Sequence, residues 1–402
     1  MMGRNMKRVR WFARAVEQEA RQLRGYLLFA GSIKRQRQWR RLERANESYG
    51  HTVLLDINKI IFDGEQGRRI HALVNLLTRG GYRVWLTPRV CFFQNANKVY
   101  KWRALEHVYE YGVEGTPAKF DLCITDRRRE CPKANRTLRL TSDTQRQLSD
   151  RDLPVPYTIH PDHMDAREDL NFQAYRDTPR RWLVFFGGDR RSDAYHPSEQ
   201  YTHFKSIPRP RLVQLAEECF RDDLQFPDSE DALNKLMLSD ADSLVILDSA
   251  RYRVAPSRWL PVVSQAKFFL AAPGQTYPHS HNCIESLAIG TIPILEYNER
   301  FQPALEHGVN CLVYRGEQQF RQLMTEIRAM PESSIQQMRQ GAIAYYDEYL
   351  SPQSFVHRLT ADAFDRLHMY PYLARPGILN RHLRVNNRVT AARERERARA
   401  AS

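Results

Sequence analysis

The 402-residue sequence has no long apolar run, no closely spaced cysteine pair and no recognisable secretory leader. Its longest apolar stretches, YLLFAG and SLVILD, fall far short of the roughly 18 residues that a membrane-spanning helix needs. The first residues lack the apolar core and small-residue cleavage site of a signal peptide, so we expect a cytoplasmic protein. The six cysteines show no CxxC spacing, which argues against a zinc site or a disulfide framework.

Acidic residues are too few to balance the basic ones, and the formal net charge is +14. The excess lies at the two ends of the chain. Residues 1–50 hold 13 Lys and Arg against 4 Asp and Glu, and residues 374–402 hold 8 against 2. The ends therefore carry +15 and residues 51–373 carry −1. The neutral charge of residues 51–373 argues against nucleic acid as a partner, although basic ends attract any polyanion.

The basic N-terminal segment combines its arginines with aromatic and aliphatic residues such as Trp11 and Phe12. This composition predicts an amphipathic helical arm, residues 1–50, which contacts an anionic membrane surface through residues 1–47. A solvated basic extension is the alternative. The tail, residues 374–402, is predicted to be solvated and frayed.

Two parts of the chain alternate apolar runs of strand length with helical segments. After the strand HTVLLDI, the segment GRRIHALVNLL places Ile70, Leu73 and Leu77 at helical spacing, and the same pattern restarts at RWLVFFGGD. Such alternation predicts an α/β protein with two Rossmann-like domains, each built on a parallel sheet. The predicted boundaries are 51–160 for the first domain, 161–180 for a linker, 181–350 for the second domain, and 351–373 for a last helix that crosses back to the first domain. The alternative is that the apolar stripe of this helix covers the edge of its own domain. The remaining predicted strands are VWL (84–86), FDLCIT, VPYTI (155–159), SLVILD, KFFLAA, TIPIL and NCLVY.

The stretch HSHNCIESLAIG places unusual polar chemistry at the start of a short predicted helix that ends at Gly290. In open α/β sheets, ligands bind beyond the carboxyl ends of the strands, where helix N-termini offer N–H groups to phosphate. We expect the loop before this helix to hold a diphosphate and Glu285 to accept the hydroxyls of a ribose. The alternative is a capping box, Asn282-x-x-Glu285, in which the glutamate only satisfies a backbone N–H. The predicted ligand-binding residues of this stretch are Gly274, His279, His281, Asn282 and Glu285.

Residues 264–314, SQAKFFLAAPGQTYPHSHNCIESLAIGTIPILEYNERFQPALEHGVNCLVY, resemble the nucleotide-sugar-binding segment of GT-B glycosyltransferases, in particular the exostosin-like branch. The shared order is strand, glycine loop, basic residue, glutamate, small-residue helix end and an IPI strand. The resemblance implies that Glu285 and the preceding loop hold the ribose and diphosphate of a nucleotide-sugar donor. It also implies that the parallel sheets of the two Rossmann-like domains face each other across a cleft. Two departures stand out. His281 and Asn282 occupy the place of a typical arginine, and Pro293 stands where retaining enzymes carry a second glutamate, so an inverting reaction is favoured.

Further donor-binding candidates follow the first strand of the second predicted domain. In FFGGDRR, we expect Gly187 and Gly188 to face the donor phosphates and Arg190 or Arg191 to supply charge. Arg209 and Arg211, at a predicted helix start, are further phosphate candidates, and Arg209 is the preferred one of the two. A plain tight turn and solvent-exposed arginines are the alternatives.

The stretch HPDHMD carries metal-ligand types, including His160 and His163 at a spacing of three. Pro161 and the absence of a helical pattern around the two histidines argue against a metal site. We expect an interdomain hinge contact instead.

An inverting transfer also needs a general base, which should lie in the first domain. Asp63 and Asp126, which follow predicted strands, are the candidates, although such residues are often only turn residues. The sequence thus predicts a glycosyltransferase that moves a sugar from a nucleotide-sugar donor to a glycan or lipid-linked acceptor in cell-surface polysaccharide or glycoconjugate synthesis, with no obligatory metal or other cofactor. The alternative is a basic-armed Rossmann-like protein that binds RNA or an acidic polymer without catalysis.

Overall fold

The computed structural model describes residues 51–57, 64–87, 99–112, 115–127, 129–141, 149–192, 206–274, 278–361 and 363–369. The predicted basic arm (1–50) and tail (374–402) lie outside the described residues. The described residues belong to two compact units. The first comprises those of 51–155 and 355–369, and the second those of 156–354.

Strands and helices alternate through both units, as expected for an α/β protein. The strands are β1 (His51–Asp56), β2 (Tyr82–Leu86), β3 (Tyr109–Glu110), β4 (Phe120–Thr125), β5 (Ala134–Thr141), β6 (Asp152–Pro154), β7 (Trp182–Gly188), β8 (Leu224–Gln225), β9 (Ala241–Asp248), β10 (Ala266–Leu270), β11 (Ile292–Leu295), β12 (Leu312–Val313) and β13 (Arg366–His368). The α-helices are α1 (Gly64–Arg79), α2 (Val99–Leu105), α3 (Pro161–Asp165), α4 (Phe172–Asp177), α5 (Arg209–Cys219), α6 (Glu230–Met237), α7 (Pro256–Val263), α8 (His281–Ala288), α9 (Gly316–Arg328), α10 (Glu332–Tyr345) and α11 (Pro352–Thr360). None of the described helices is both long and apolar enough to cross a membrane.

The first unit contains a seven-stranded sheet of order β3-β2-β1-β4-β5-β13-β6, and its strand pairs are parallel. Alternate residues of the central strands, such as Val53 and Leu55, face a core that α1, α2 and α11 cover. Helix α11 contributes Phe355 and Leu359 to this core. The last helix belongs to the same compact unit as the first sheet from Phe355 onward.

Two details of the first unit differ from the sequence-based prediction. The last helix ends at Thr360, and Arg366–His368 form β13 between β5 and β6. Pairing on both sides satisfies more backbone N–H and C=O groups than a continued helix end on the surface would. The predicted strand 155–159 is also wrong, because residues 152–154 pair as β6 and the following residues leave the sheet.

The second unit contains a six-stranded sheet of order β12-β11-β10-β7-β9-β8, again with parallel pairs. Side chains alternate between its two faces: Phe185 and Phe269 pack with α8 and α10, whereas Phe186 and Phe268 pack with α5 and α9. Both faces are therefore buried, which explains the continuous apolar runs of these strands. The prediction of an α/β fold with two parallel-sheet domains is confirmed.

Residues 161–180, predicted as a linker, instead carry α3 and α4. Met164 and Phe172 from this stretch join the core of the second unit. Short helices with one or two buried residues show no sustained apolar period, so the pattern looked like a connection.

Candidate functional site

The carboxyl edge of the second sheet brings together a double glycine, a glycine loop and a helix start. Strand β7 ends in Gly187 and Gly188, and β10 leads through Gly274 into α8. Asn282, in the first turn of α8, donates from Nδ2 to the carbonyl of Gly187 at 3.0 Å. The amino end of α8 is thereby tied to the end of β7, the type of place where α/β proteins bind anionic ligands.

Helix α8 begins with a serine cap and ends at a glycine. The Ser280 side chain accepts a hydrogen bond from the Cys283 N–H at 3.4 Å and is the N-cap. The capping-box alternative is therefore wrong, because neither Asn282 nor Glu285 occupies the required position. Gly290, at φ +73°, takes the left-handed conformation that follows many helix ends, as predicted.

Three arginines close the carbonyl end of α8. The carbonyls of residues 288–290 accept hydrogen bonds from Arg176, Arg180 and Arg339, respectively. Burial, and in second place the charge of Arg339, lowers the pKa of Arg180 to about 9. Cations at this end complement the helix dipole, whose positive end lies at the sheet edge.

Glu285 lies one turn inside α8 and is only 1% exposed. Its Oε1 accepts a hydrogen bond from the backbone N–H of His160 at 2.8 Å, and its Oε2 accepts one from the indole N–H of Trp259 at 2.6 Å. The Nε2 of His163 lies 3.8 Å from Oε1. Protein groups thus enclose the carboxylate, and the expected contact with a ribose stays a prediction.

The two histidines before and at the helix start are also buried. His281 donates from Nδ1 to the carbonyl of Thr158 at 2.7 Å. The centroid of the His279 ring lies 4.4 Å from the centroid of the Phe301 ring and 5.9 Å from that of the Tyr157 ring. These surroundings argue against direct contact with a diphosphate, and a donor-binding role for either histidine stays a prediction.

The double glycine has a packing reason of its own. A Cβ at Gly187 would lie 2.4 Å from the ring of Trp259, so only glycine fits against this indole. Gly188 has φ +154° and space for a Cβ near Arg209. No sequence pattern pointed to Trp259, which stands more than 70 positions from Gly187 along the chain.

The arginine candidates differ in their partners. Arg209, the first residue of α5, donates from Nε and Nη2 to the carbonyl of Pro273 at 3.2 and 3.1 Å, at the start of the glycine loop. Arg190 instead pairs with Asp248 and Glu217. The guanidinium of Arg209 therefore lies at the edge between β7 and β10, whereas that of Arg190 is held by two carboxylates. In the loop itself, the N–H of Gly274 donates to the carbonyl of Pro278 at 3.1 Å.

One of the two general-base candidates, Asp126, belongs to the first unit. It follows β4 directly and is buried. Asp63 lies outside the described residues. Their catalytic role stays a prediction.

The HPDHMD stretch is helical, contrary to the sequence-based interpretation. His160 is the N-cap of α3, and its Nδ1 accepts from the Asp162 N–H at 3.2 Å. Proline at the first helical position makes so short a helix possible. The contacts of His160 and His163 with Glu285 lie within the second unit. Within the described part of the chain, no group of three His, Cys, Asp or Glu side chains has an arrangement suited to a metal ion.

Comparison with known proteins adds similarities of architecture. No protein-family model matches the chain, and no curated protein matches its sequence. Among solved structures, it is similar to Anabaena HepE in complex with UDP (TM-score 0.41, 10% identity, 77% of this chain and 98% of that chain). It is also similar to a glycosyltransferase from Rickettsia africae (TM-score 0.40, 8% identity, 77% and 97%) and to sucrose-phosphate synthase from Thermosynechococcus elongatus (TM-score 0.38, 12% identity, 77% and 97%). At TM-scores below 0.5, these similarities say nothing about the chemistry of this chain.

Proposed function

We propose that this protein is a glycosyltransferase that binds a nucleotide-sugar donor at the carboxyl edge of its second sheet. The observation that carries the proposal is the seating of the α8 amino end at this edge, bonded through Asn282 to Gly187. Arg209 adds a cation at the same edge, beside Gly188 and the glycine loop. Backbone N–H groups, a helix dipole and a guanidinium are the groups that hold a diphosphate in proteins.

The sequence resemblance of residues 264–314 to exostosin-like glycosyltransferases supports the same assignment. In the proposed reaction, a hydroxyl of a glycan or lipid-linked acceptor attacks the anomeric carbon, and the bond from that carbon to the diphosphate breaks. The proton of the hydroxyl passes to a base, for which Asp126 and Asp63 are the candidates. The helix dipole and Arg209 stabilise the leaving diphosphate, so the proposed mechanism needs no metal ion. The favoured course is inversion, because Pro293 replaces a second glutamate.

The setting of the reaction is also part of the proposal. We place it in the synthesis of cell-surface polysaccharides or glycoconjugates, at the cytoplasmic face of a membrane. The support is the charge and composition of residues 1–47, which lie outside the described residues.

The test is a thermal-shift screen of the full chain against UDP, GDP, CMP and ADP. A ligand that binds only the folded state raises its stability by about 2.7 kcal/mol at a hundredfold excess over Kd. We expect one nucleotide to raise Tm. We also expect the protein to hydrolyse slowly the nucleotide-sugar with the same base, which releases that nucleotide. No shift with any nucleotide, together with salt-sensitive binding of RNA, would favour the basic-armed binding protein instead.

A further inference from the structure

Glu285 and His281 stand four positions apart in α8 and therefore lie on one face of this helix. Both side chains bind the backbone of the same segment, residues 157–163. His281 donates to the carbonyl of Thr158, and Glu285 accepts from the N–H of His160. One face of α8 thus binds both a backbone carbonyl and a backbone N–H of this segment, in the way that a neighbouring β-strand would.

The same carboxylate also fixes an aromatic side chain. Its second oxygen accepts the indole N–H of Trp259, and the ring of Trp259 lies directly against Gly187. Gly187 is in turn bonded through its carbonyl to Asn282. Glu285 is therefore linked on one side to residues 157–163 and on the other to the end of β7.

We propose that Glu285 is a positioning residue, which sets the shape of the sheet edge through the segment 157–163 and Trp259 and does not itself contact the ribose of a ligand. Both of its oxygens are already bonded within the protein, and its exposed fraction is 1%. A carboxylate oxygen can accept more than one hydrogen bond, but this carboxylate is closed off from solvent. A ribose diol would reach it only if the indole or the segment 157–163 moved away, which would leave a buried donor without an acceptor. This inference rests on the proposed function only for its effect on nucleotide affinity.

The first measurement is hydrogen exchange at the amide of His160, which reports the bond to Glu285 directly. In Glu285→Ala we expect the protection of this amide to fall on the order of tenfold or more, because the acceptor is lost. In Trp259→Phe the acceptor remains, so the fall should be smaller. Peptides from β9 (Ala241–Asp248) in the second sheet should keep their protection in both variants, which shows that the second unit remains folded.

The second measurement separates positioning from ribose contact. Affinities of wild type, Glu285→Ala and Trp259→Phe are measured for UDP, GDP and ADP and for their 2′-deoxy counterparts. For a positioning residue, each variant weakens the ribo and deoxyribo ligands by the same factor, on the order of tenfold for Glu285→Ala. Trp259→Phe should show the same equal loss, because it removes the indole bond and keeps a ring against Gly187.

Three outcomes decide the matter. A loss confined to the ribo ligands, with unchanged exchange at His160, overturns the proposal in favour of a direct ribose contact. If the wild-type protein binds none of the nucleotides, the proposed function fails, and exchange at His160 alone decides whether Glu285 positions the segment. If Glu285→Ala does not fold, Trp259→Phe carries the same comparison, and unequal losses for its two ligand sets overturn the proposal.

Discussion

At the residue scale, buried carboxylates organise the second unit. Glu296, directly after β11, accepts hydrogen bonds from the N–H of Ile207 at 2.6 Å and the N–H of Gly316 at 2.8 Å. These N–H groups stand beside the starts of α5 and α9. Burial raises the pKa of Glu296 above its usual 4.5, against the opposing effect of the two N–H groups and Arg315. One carboxylate thus joins two helix starts to the end of a strand.

The raised pKa predicts a pH-dependent stability. The folded protein holds the proton of Glu296 more tightly than the unfolded chain, so the ionised form costs stability above the folded pKa. Relative to Glu296→Gln, wild type should gain stability as pH falls from 7 through the folded pKa towards 4.5, and the gain should level off below that value. Urea unfolding of both proteins across this range measures the difference. A difference that is constant with pH, or one that grows as pH rises, contradicts the assignment.

The site residues show how far sequence reasoning reaches at this scale. Glu285 stood out from the sequence because a helix start after a glycine loop has a known use. Its partners did not, because His160 lies 125 positions away in the chain and Trp259 belongs to another helix. Only the spacing of His281 and Glu285 gave a usable signal, namely that both share one helix face.

At the element scale, α8 is short, so the groups at its two ends contribute more to its stability than the helix propensity of its residues does. Eight residues form barely two turns, and most of the stability of such a helix comes from packing and from the groups that cap it. Ser280 caps the amino end, and three arginines bind the last carbonyls. Of these arginines, Arg180 also donates to the carbonyl of Ser264, so it connects the end of α8 to the residue after α7.

Removal of this cap should destabilise the second unit. In Arg180→Met, the buried carbonyls of Ser264 and Ile289 lose a donor, and we expect a loss of about 1–3 kcal/mol in the free energy of unfolding. Arg181→Met is the matched control, because Arg181 pairs with the exposed Asp240 and should contribute below about 1 kcal/mol. Chemical denaturation measures both. Equal losses of unfolding free energy in the two variants would show that the buried hydrogen bonds of Arg180 contribute no more than an exposed ion pair.

Element types were predictable where apolar period and length agreed. The strands β7, β9, β10 and β11 are continuous apolar runs, and the sequence indicated each of them. Strand β5 was missed because three successive polar residues, Asn135–Thr137, interrupt its run ANRTLRLT, which therefore shows no sustained alternation of apolar and polar residues. Strand β13 was taken for helix because only three residues pair, and their partners come from distant parts of the chain.

At the scale of the whole molecule, the distribution of charge sets an expectation for membrane contact. Residues 1–50 carry +9 and residues 51–373 carry −1. Deletion of residues 1–47 should reduce sedimentation with vesicles that contain anionic lipid and should leave nucleotide binding unchanged. The attraction is screened beyond about 8 Å at physiological ionic strength, so added salt should weaken the binding of the full chain. Vesicle binding that survives the deletion would contradict this role.

The two-unit architecture was predictable because the strand–helix alternation stops and restarts in the sequence. The exact boundary was not, since the stretch after β6 is polar and yet carries Met164 and Phe172 into the core of the second unit. The sequence predicted a phosphate-binding site at the sheet edge. It did not predict which arginine lies there, because the partners of Arg190 and Arg209 are distant in the sequence.

The central claim is that the phosphates of a nucleotide bind at the carboxyl edge of the second sheet, where α8 begins, and contact Arg209. The most direct test is calorimetric titration of wild type, Arg209→Met and Arg211→Met with the nucleotide that stabilises the wild-type protein. Both variants remove one arginine from α5, but Arg211 pairs with Glu317 and Glu218 on the surface. Loss of a charge-assisted contact predicts a Kd on the order of tenfold higher for Arg209→Met, with Arg211→Met close to wild type. Equal affinities in all three folded proteins would contradict the assignment of the site.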